Sequence, residues 1–180
     1  MNQYMRMIVV LVIISLVSGG VLALSYEVTN PRIQEQTQQA LQQAVLKVIP
    51  GAEKIQTVEK EGMTFYIGTD NQGNKKGIAF KTTGSGFSGP IEIMVGYAPR
   101  EGKLTGIEIL SMSETPGLGA RIKEPDFTDQ FKGKSVNDEF IPKKDVKVIT
   151  GATISPTAVA NAIKSSLAKV TKIFPVGGDF

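Results

Sequence analysis

The sequence of 180 residues contains no cysteine, no histidine and no tryptophan. Without cysteine, the chain forms no disulfide and has no thiolate nucleophile, no cysteine ligand for an iron–sulfur cluster and no cysteine that a lipid could modify. Without histidine, a Ser-His-Asp hydrolase site or a zinc hydrolase site is not expected. The absence of cysteine also fits a location outside the cytoplasm, although it does not require one.

The net charge of the chain is small as well. The formal net charge is only +3, and lysines are interleaved with acidic residues along the chain. A surface that binds nucleic acid usually gathers lysine and arginine on one face. We therefore expect no nucleic-acid partner.

A long apolar run lies near the beginning of the sequence. Residues 7–24 contain no charged side chain, and 18 residues are near the lower limit for crossing the hydrocarbon core of a bilayer. Arg6 precedes the run and Glu27 follows it, so the positive-inside rule predicts a cytoplasmic N-terminus (residues 1–6) before a transmembrane anchor (7–24). A cleaved signal peptide is the alternative. It is disfavoured because the run is longer than a usual signal h-region and Leu24-Ser25-Tyr26 is a poor cleavage site.

The segment after the anchor has helical periodicity. Apolar residues recur every three or four positions between Ile33 and Val48, with glutamines on the other face. Asn30-Pro31 indicates either a helix start or a kink in a helix that continues, and Pro50-Gly51 indicates its end. We therefore predict a connecting helix within residues 25–50, followed by one extracytoplasmic domain at 51–180.

The remaining residues predict an α+β domain with a mostly antiparallel sheet and flanking helices. Short apolar runs separated by turn residues are typical of consecutive antiparallel strands. Helical spacing predicts a short helix at Pro125–Phe131 and a longer one at Thr157–Val170. The predicted strands are Met63–Ile67, Gly77–Phe80, Ile91–Val95, Leu104–Leu110 and Val146–Ile149.

The stretch Thr150–Pro156 places a lone hydroxyl, Thr153, in a glycine-containing turn before a helix. Ser155 is suited to cap that helix, and Pro156 is suited to its first position. Backbone donors and the positive end of the helix dipole favour a phosphate at such a place. Taken alone, the stretch is more simply interpreted as an ordinary loop-to-helix junction.

Two further loops are rich in glycine and polar residues. Thr82–Pro90 is either a plain connection between strands or a place where the backbone approaches a ligand closely. In Ser113–Gly119, Pro116-Gly117 predicts a tight turn and Gly119 permits a second one. This loop contains more polar and flexible residues than a turn requires, so it is a candidate ligand-binding loop.

Thr150–Ser155 reads Thr-Gly-Ala-Thr-Ile-Ser and resembles the [Ser/Thr]-Gly-Ala-Thr-x-[Ser/Thr] pattern of the FMN-binding domain family. Members of that family carry FMN joined through its phosphate to the threonine side chain, which makes them phosphoproteins with a covalent flavin. Glu114–Gly119 and the region from Gly86 to Pro90 are also similar to the family. Two departures are Thr150, where serine is common, and Pro156, where many members carry a hydroxyl residue.

With its single anchor, the whole chain resembles the G subunits of Rnf-type ion-translocating ferredoxin:NAD oxidoreductases. The resemblance implies an electron-carrier subunit of a membrane-bound translocase that moves Na⁺ or H⁺, with no independent catalytic activity, no catalytic residue and no metal. It implies FMN linked by a phosphoester bond to Thr153. The further cofactor-binding residues that it implies are Glu114, Thr115, Gly117, Leu118, Gly119, Thr150, Gly151, Ala152 and Ser155.

The resemblance also implies partners and a location. The partners are the other Rnf subunits, especially the membrane D subunit, together with the lipid bilayer of the cell (inner) membrane. Threonine is a weak nucleophile and the chain has no histidine to activate it, so maturation is expected to need a separate flavin transferase. The alternatives are the C subunit of a sodium-pumping NADH:quinone oxidoreductase, another extracytoplasmic flavin reductase, and a membrane-anchored binding domain without a redox role.

Overall fold

The structure is a computed structural model that describes residues 2–178 and 180. The chain divides into two compact units, Met1–Ala40 and Leu41–Phe180. Helix α1, Gln3–Val48, begins in the first unit and ends in the second. Each unit is described by itself.

The first unit is a helix that is long and apolar enough to cross a membrane. Its most apolar 18-residue window has a mean hydropathy of 2.8, and no residue of that window is buried. Pro31 lies inside α1, so the second of our two interpretations, a helix that continues through the proline, is the one observed. The separate connecting helix that we predicted is therefore the second half of α1. Proline removes one backbone hydrogen bond but does not stop a helix whose flanking residues favour it.

The second unit begins before the boundary that we placed at residue 51. The last turns of α1 contribute buried residues to it, and these pack with the next loop and two strands of the sheet in one apolar cluster: Ala44, Val45, Val48, Ile49, Ala79 and Met94. Lys47 also forms an ion pair of 2.7 Å with Glu108. The compact unit starts at Leu41, ten residues before the predicted boundary, and the amphipathic end of the helix packs within it.

A five-stranded sheet forms the centre of the second unit. Its strands lie in chain order, and every neighbouring pair is antiparallel, as predicted. This order follows from the short connections between consecutive strands. The strands are β1 (Lys54–Lys60), β2 (Met63–Thr69), β3 (Lys75–Ser85), β4 (Pro90–Ala98) and β5 (Lys103–Ser111).

Two strand predictions differ from the structure. We did not predict β1, because its sequence is mostly polar. In the structure, none of its side chains is buried. We predicted a strand at Val146–Ile149, but that segment makes only isolated bridges. The outer edge of β5 is already bonded to another segment: Leu104 N–H donates to the carbonyl of Lys134 at 2.8 Å. Val146 and Ile149 are apolar because they are buried in the main core, not because they pair in the sheet.

The helices of this unit begin close to where the sequence predicted. Helix α2 (Pro125–Thr128) continues as a 3-10 turn to Phe131, and α3 spans Ile154–Ile173. Helix α3 packs closely on β3, because Gly84 has no side chain: a Cβ there would lie 2.6 Å from the carbonyl oxygen of Ala158. This packing brings the start of α3 to the end of β3, next to the loop that follows Ser85.

Candidate functional site

Thr153 lies immediately before α3 with its side chain exposed. The preceding turn is closed by Ala152 N–H, which donates to the carbonyl of Ile149 at 3.0 Å. Gly151 has a φ of 81°, a conformation that favours glycine. The Thr153 side chain makes no capping hydrogen bond. Its hydroxyl is therefore not committed to holding the helix end.

The predicted capping role of Ser155 is wrong. The helix begins at Ile154, and the Ser155 side chain is buried, with its hydroxyl donating to Glu114 Oε2 at 2.5 Å. Pro156 is the third helical residue, not the first, and it has no N–H to donate. The first-turn amides that can face an anion are thus those of Ile154 and Ser155.

Glu114 joins three segments of the chain. Its Oε1 accepts a hydrogen bond of 3.0 Å from the backbone N–H of Ser88, and its Oε2 accepts the one from Ser155. The side chain rests against Gly119, where a Cβ would lie 2.5 Å from both Glu114 Oε2 and Ser155 Oγ. We attributed Gly119 to a second turn, but its φ is not positive. The residue is glycine because this contact leaves no room for a side chain.

The loop after Glu114 forms the tight turn that its sequence predicts. Leu118 N–H donates to the carbonyl of Thr115 at 3.2 Å, and Gly117 has a φ of 75°. Proline at the second position and a positive-φ glycine at the third are typical of a type II turn. Leu118 in this turn lies close to Gly151 in the Thr153 loop. A Cβ at Gly151 would lie 3.4 Å from Leu118 Cδ2.

A cleft of about 230 Å³ opens between these loops. It is lined by Phe87 and Ile154 and by eight of the ten predicted cofactor-binding residues, namely Glu114, Thr115, Leu118, Gly119, Gly151, Ala152, Thr153 and Ser155. The other two do not line it. Gly117 stands in the open part of its turn, and Thr150 lines a different, polar cavity with Arg121 and Lys147.

Phe87 and Ile154 were not among the predicted cofactor-binding residues. Within residues 41–178, six large apolar side chains are exposed, and three of them line this cleft: Phe87 at 72%, Leu118 at 45% and Ile154 at 53%. A folded domain leaves such side chains together on its surface mainly where something binds. The available signal was an aromatic residue inside a loop of glycines and serines.

A second cleft of about 250 Å³ also borders Thr153. It is lined by Ser85, Thr157, Ala158 and Asn161, and it shares Thr153 and Ile154 with the first cleft. Thr153 therefore borders both clefts, and a group attached to its hydroxyl can enter either of them.

The arrangement fits a planar apolar ring that carries an anionic arm. Exposed apolar side chains offer walls for the ring, and free amides at a helix N-terminus favour the anion. Within the described residues, no group of three or more acidic side chains is placed to hold a metal ion. FMN has both features, since its isoalloxazine ring is planar and its ribityl arm ends in a phosphate.

Comparison with known proteins identifies the same region. Residues 86–168 match the FMN-binding domain family, and this range contains both site loops and most of α3. The chain is 32% identical to the G subunit of the ion-translocating oxidoreductase complex of Methanosarcina acetivorans, over 92% of this chain and 94% of that protein. It is also 32% identical to the G subunit of the Na⁺-translocating ferredoxin:NAD⁺ oxidoreductase complex of Acetobacterium woodii, over 88% and 87% of the two chains.

Solved structures show the same fold. The C subunit of the Na⁺-translocating NADH-quinone reductase of Parabacteroides distasonis superposes with a TM-score of 0.61 at 18% identity, over 79% of this chain and 96% of that one. NqrC of Shewanella oneidensis superposes with a TM-score of 0.52 at 20% identity, over 65% and 66% of the two chains. At this level of identity the likeness concerns the fold alone.

Proposed function

This chain belongs to the family of G subunits of ion-translocating oxidoreductase complexes, and from that premise we propose that it carries electrons through FMN bound covalently to Thr153. Its relatives are named as subunits of ion-, Na⁺- or proton-translocating oxidoreductases, two of them as ferredoxin:NAD⁺ oxidoreductases. We therefore describe the chain as a membrane-anchored redox subunit of such an enzyme complex. The other subunits of the complex are its partners.

The observation that carries the proposal is the position of Thr153. Its side chain is exposed, makes no capping bond and borders both clefts. Threonine is a weak nucleophile and the chain has no histidine to activate it, so a flavin transferase is proposed to do so. In that step Thr153 Oγ1 forms a bond to the phosphorus atom of FAD that is attached to the ribityl arm. The pyrophosphate bond breaks, AMP is the leaving group, and the hydroxyl group of Thr153 loses its proton.

The residues of the site have separate proposed tasks. The amides of Ile154 and Ser155 would face the phosphoester, while Phe87 and Leu118 would cover the ring. When bound, FMN supplies the reversible redox chemistry, and the protein supplies its position and its electrostatic surroundings. A covalent link also keeps the cofactor on a domain that is open to solvent.

We further propose the orientation and the electron-transfer neighbours. Arg6 before the apolar run and Glu27 after it favour a cytoplasmic N-terminus, which would place Leu41–Phe180 outside the cytoplasm. Among the other subunits, the membrane D subunit is the proposed direct partner in electron transfer. The chain itself is proposed to be a redox station and not the ion path, because a single helix encloses no channel.

The proposal is tested by co-expressing the full chain with a flavin transferase and recording flavin fluorescence in a denaturing gel. We expect a fluorescent band for the parent, none for Thr153→Val, and a band equal to the parent for Thr171→Val, which removes a hydroxyl near the other end of α3. A dark parent band would support a binding domain without flavin. A fluorescent Thr153→Val band would assign the flavin to another residue.

A second experiment separates the two kinds of complex. Deleting the gene for this chain from its own host is expected to abolish ferredoxin-dependent NAD⁺ reduction by isolated membranes. NADH:quinone reduction by the same membranes is expected to be unchanged. The reverse pattern would assign the chain to a quinone reductase.

A further inference from the structure

Glu114 is a buried carboxylate held by uncharged donors. It is 7% exposed, and its two oxygens accept one hydrogen bond each, from the Ser88 amide and the Ser155 hydroxyl. Burial of a charged group costs free energy that hydrogen bonds only partly offset. Apolar residues would fill the same space with less penalty. The carboxylate therefore points to a role other than stability.

The three segments joined at Glu114 are the ones that carry the apolar wall of the cleft. Ser88 directly follows Phe87, and Ser155 directly follows Ile154. Glu114 itself directly precedes the turn from Thr115 to Leu118. One side chain thus connects the three segments that carry the exposed apolar residues of the cleft.

Gly86 and Gly119 provide room for this carboxylate because they have no side chain. A Cβ at Gly119 would lie 2.5 Å from Glu114 Oε2, and a Cβ at Gly86 would collide with Glu114 Oε1 and lie 2.8 Å from Ile91 Cδ1. Neither glycine has the positive φ that would require it for backbone reasons. The segments on both sides of Glu114 are therefore shaped around it.

We propose that Glu114 is a positioning residue that holds Phe87, Leu118 and Ile154 at the spacing that grips the flavin ring. Its function is carried by hydrogen bonds to Ser88 and Ser155, and it needs no contact with the flavin. This proposal rests on the proposed function, because the ring it positions is that of FMN. It replaces the direct contact with FMN that the family resemblance implies for Glu114.

The test uses the full chain co-expressed with a flavin transferase and compares the parent with Glu114→Ala and Glu114→Gln. Fluorescence in a denaturing gel reports how much flavin is attached, while visible circular dichroism and native fluorescence report the environment of the ring. For Glu114→Ala we expect attached flavin but loss of the visible circular dichroism. We also expect native fluorescence per flavin to rise roughly twofold or more, since a site without its supporting contacts is loose. Glu124→Ala, which removes an exposed acid paired with Arg121, is the matched control and is expected to resemble the parent.

Glutamine distinguishes geometry from charge. Its amide oxygen can accept from the Ser88 N–H and its amide nitrogen can donate to Ser155 Oγ, so Glu114→Gln is expected to restore the signals of the parent. If Glu114→Ala does not accumulate, Ser155→Ala replaces it, with an expected partial loss of circular dichroism. Signals like those of the parent in Glu114→Ala, or in Ser155→Ala where it replaces that variant, would overturn the proposal. It would also be overturned if Glu114→Gln changed the signals as much as Glu114→Ala does.

A flavin-independent measurement separates this proposal from the proposed function. Chymotrypsin cleavage after Phe87 is compared between Thr153→Val and the double variant Thr153→Val with Glu114→Ala. We expect faster cleavage in the double variant, because the loop has lost its bond to Glu114. Equal rates would refute the positioning role even if the parent carries covalent flavin. A parent without flavin would refute the proposed function while this measurement still decides on Glu114.

Discussion

Exposed apolar surface occurs in both units of the chain, but with opposite distributions. In the first unit, every large apolar side chain from Met7 to Leu24 is exposed, for example Leu11 at 62% and Leu16 at 70%. In the second unit, most such side chains are buried or partly buried, and half of the six exposed ones within residues 41–178 line one cleft.

The same physical rule gives two different conclusions. Burial of apolar surface away from water is favourable wherever a lipid phase or another molecule can cover that surface. A continuous exposed surface along a whole helix fits a bilayer, which covers all sides equally. A small cluster beside free amides and one exposed hydroxyl fits a single ligand with an apolar and an anionic part. The distribution of apolar surface therefore distinguishes a membrane anchor from a cofactor site.

The largest effect is expected from charging the middle of the anchor. Ile13→Arg with Leu16→Arg introduces two charges that cost about 3 kcal/mol each at the centre of a membrane helix. We expect the chain to disappear from the membrane fraction, as measured by immunoblotting after ultracentrifugation. The matched control is Gln36→Arg with Gln39→Arg in the polar half of α1, which is expected to stay in the membrane. A charged anchor that still sediments with membranes would contradict the assignment.

The next effect separates a core phenylalanine from one at the cleft. Phe80 is fully buried beside Phe65, with ring centroids 6.5 Å apart, so Phe80→Ala is expected to lower the free energy of unfolding by about 3–5 kcal/mol. Phe87→Ala is expected to change it by less than about 0.5 kcal/mol. Denaturant unfolding followed by circular dichroism checks both values.

The relative size of the two effects should reverse when the visible circular dichroism of the flavin is measured instead of stability. Phe87→Ala is expected to change the visible circular dichroism of attached flavin, whereas Phe80→Ala, measured while still folded, is expected to leave it unchanged. If Phe87→Ala destabilised the fold as much as Phe80→Ala, Phe87 would belong to the core. Its exposure would then not indicate a ligand.

A small effect is expected at a turn that belongs to neither apolar region. The side chain of Asn74, together with its backbone amide and Lys76, lowers the pKa of Asp70 from 3.8 to about 2. The ionised carboxylate therefore stabilises the fold above pH 3.8, and this contribution disappears as the pH falls toward 2. Asp70→Asn should lower the melting temperature slightly at neutral pH, and most of the difference from the parent should be lost by pH 2. A difference as large at pH 2 as at neutral pH would contradict this explanation.

Much of the fold could be predicted because local patterns determine it. Strands β2 to β5 have apolar runs bounded by turn residues, and α3 has a clear helical period. Strand β1 could not be recognised, since its mostly polar sequence acquires strand structure only by pairing with β2. Val146–Ile149 was mistaken for a strand because buried coil and buried strand share the same apolar composition.

The site was predictable in its motif but not in its internal contacts. The Thr150–Ser155 pattern predicted the proposed attachment loop from sequence alone. The bond between Ser155 and Glu114 joins residues that are 41 positions apart, and no local rule indicates it. Local capping rules assigned Ser155 to the helix end instead. Tertiary contacts outweighed the local preference there, as they did at Gly119.

The most direct test of the central claim is mass spectrometry of a tryptic digest of the full chain after co-expression with a flavin transferase. Cleavage after Lys147 and Lys164 releases Val148–Lys164, which contains Thr153 together with Thr150, Ser155 and Thr157 as internal controls. We predict that this peptide gains the mass of FMN less one water and that fragmentation assigns the addition to Thr153. An unmodified peptide, or an addition on one of the other three hydroxyls, would contradict the account.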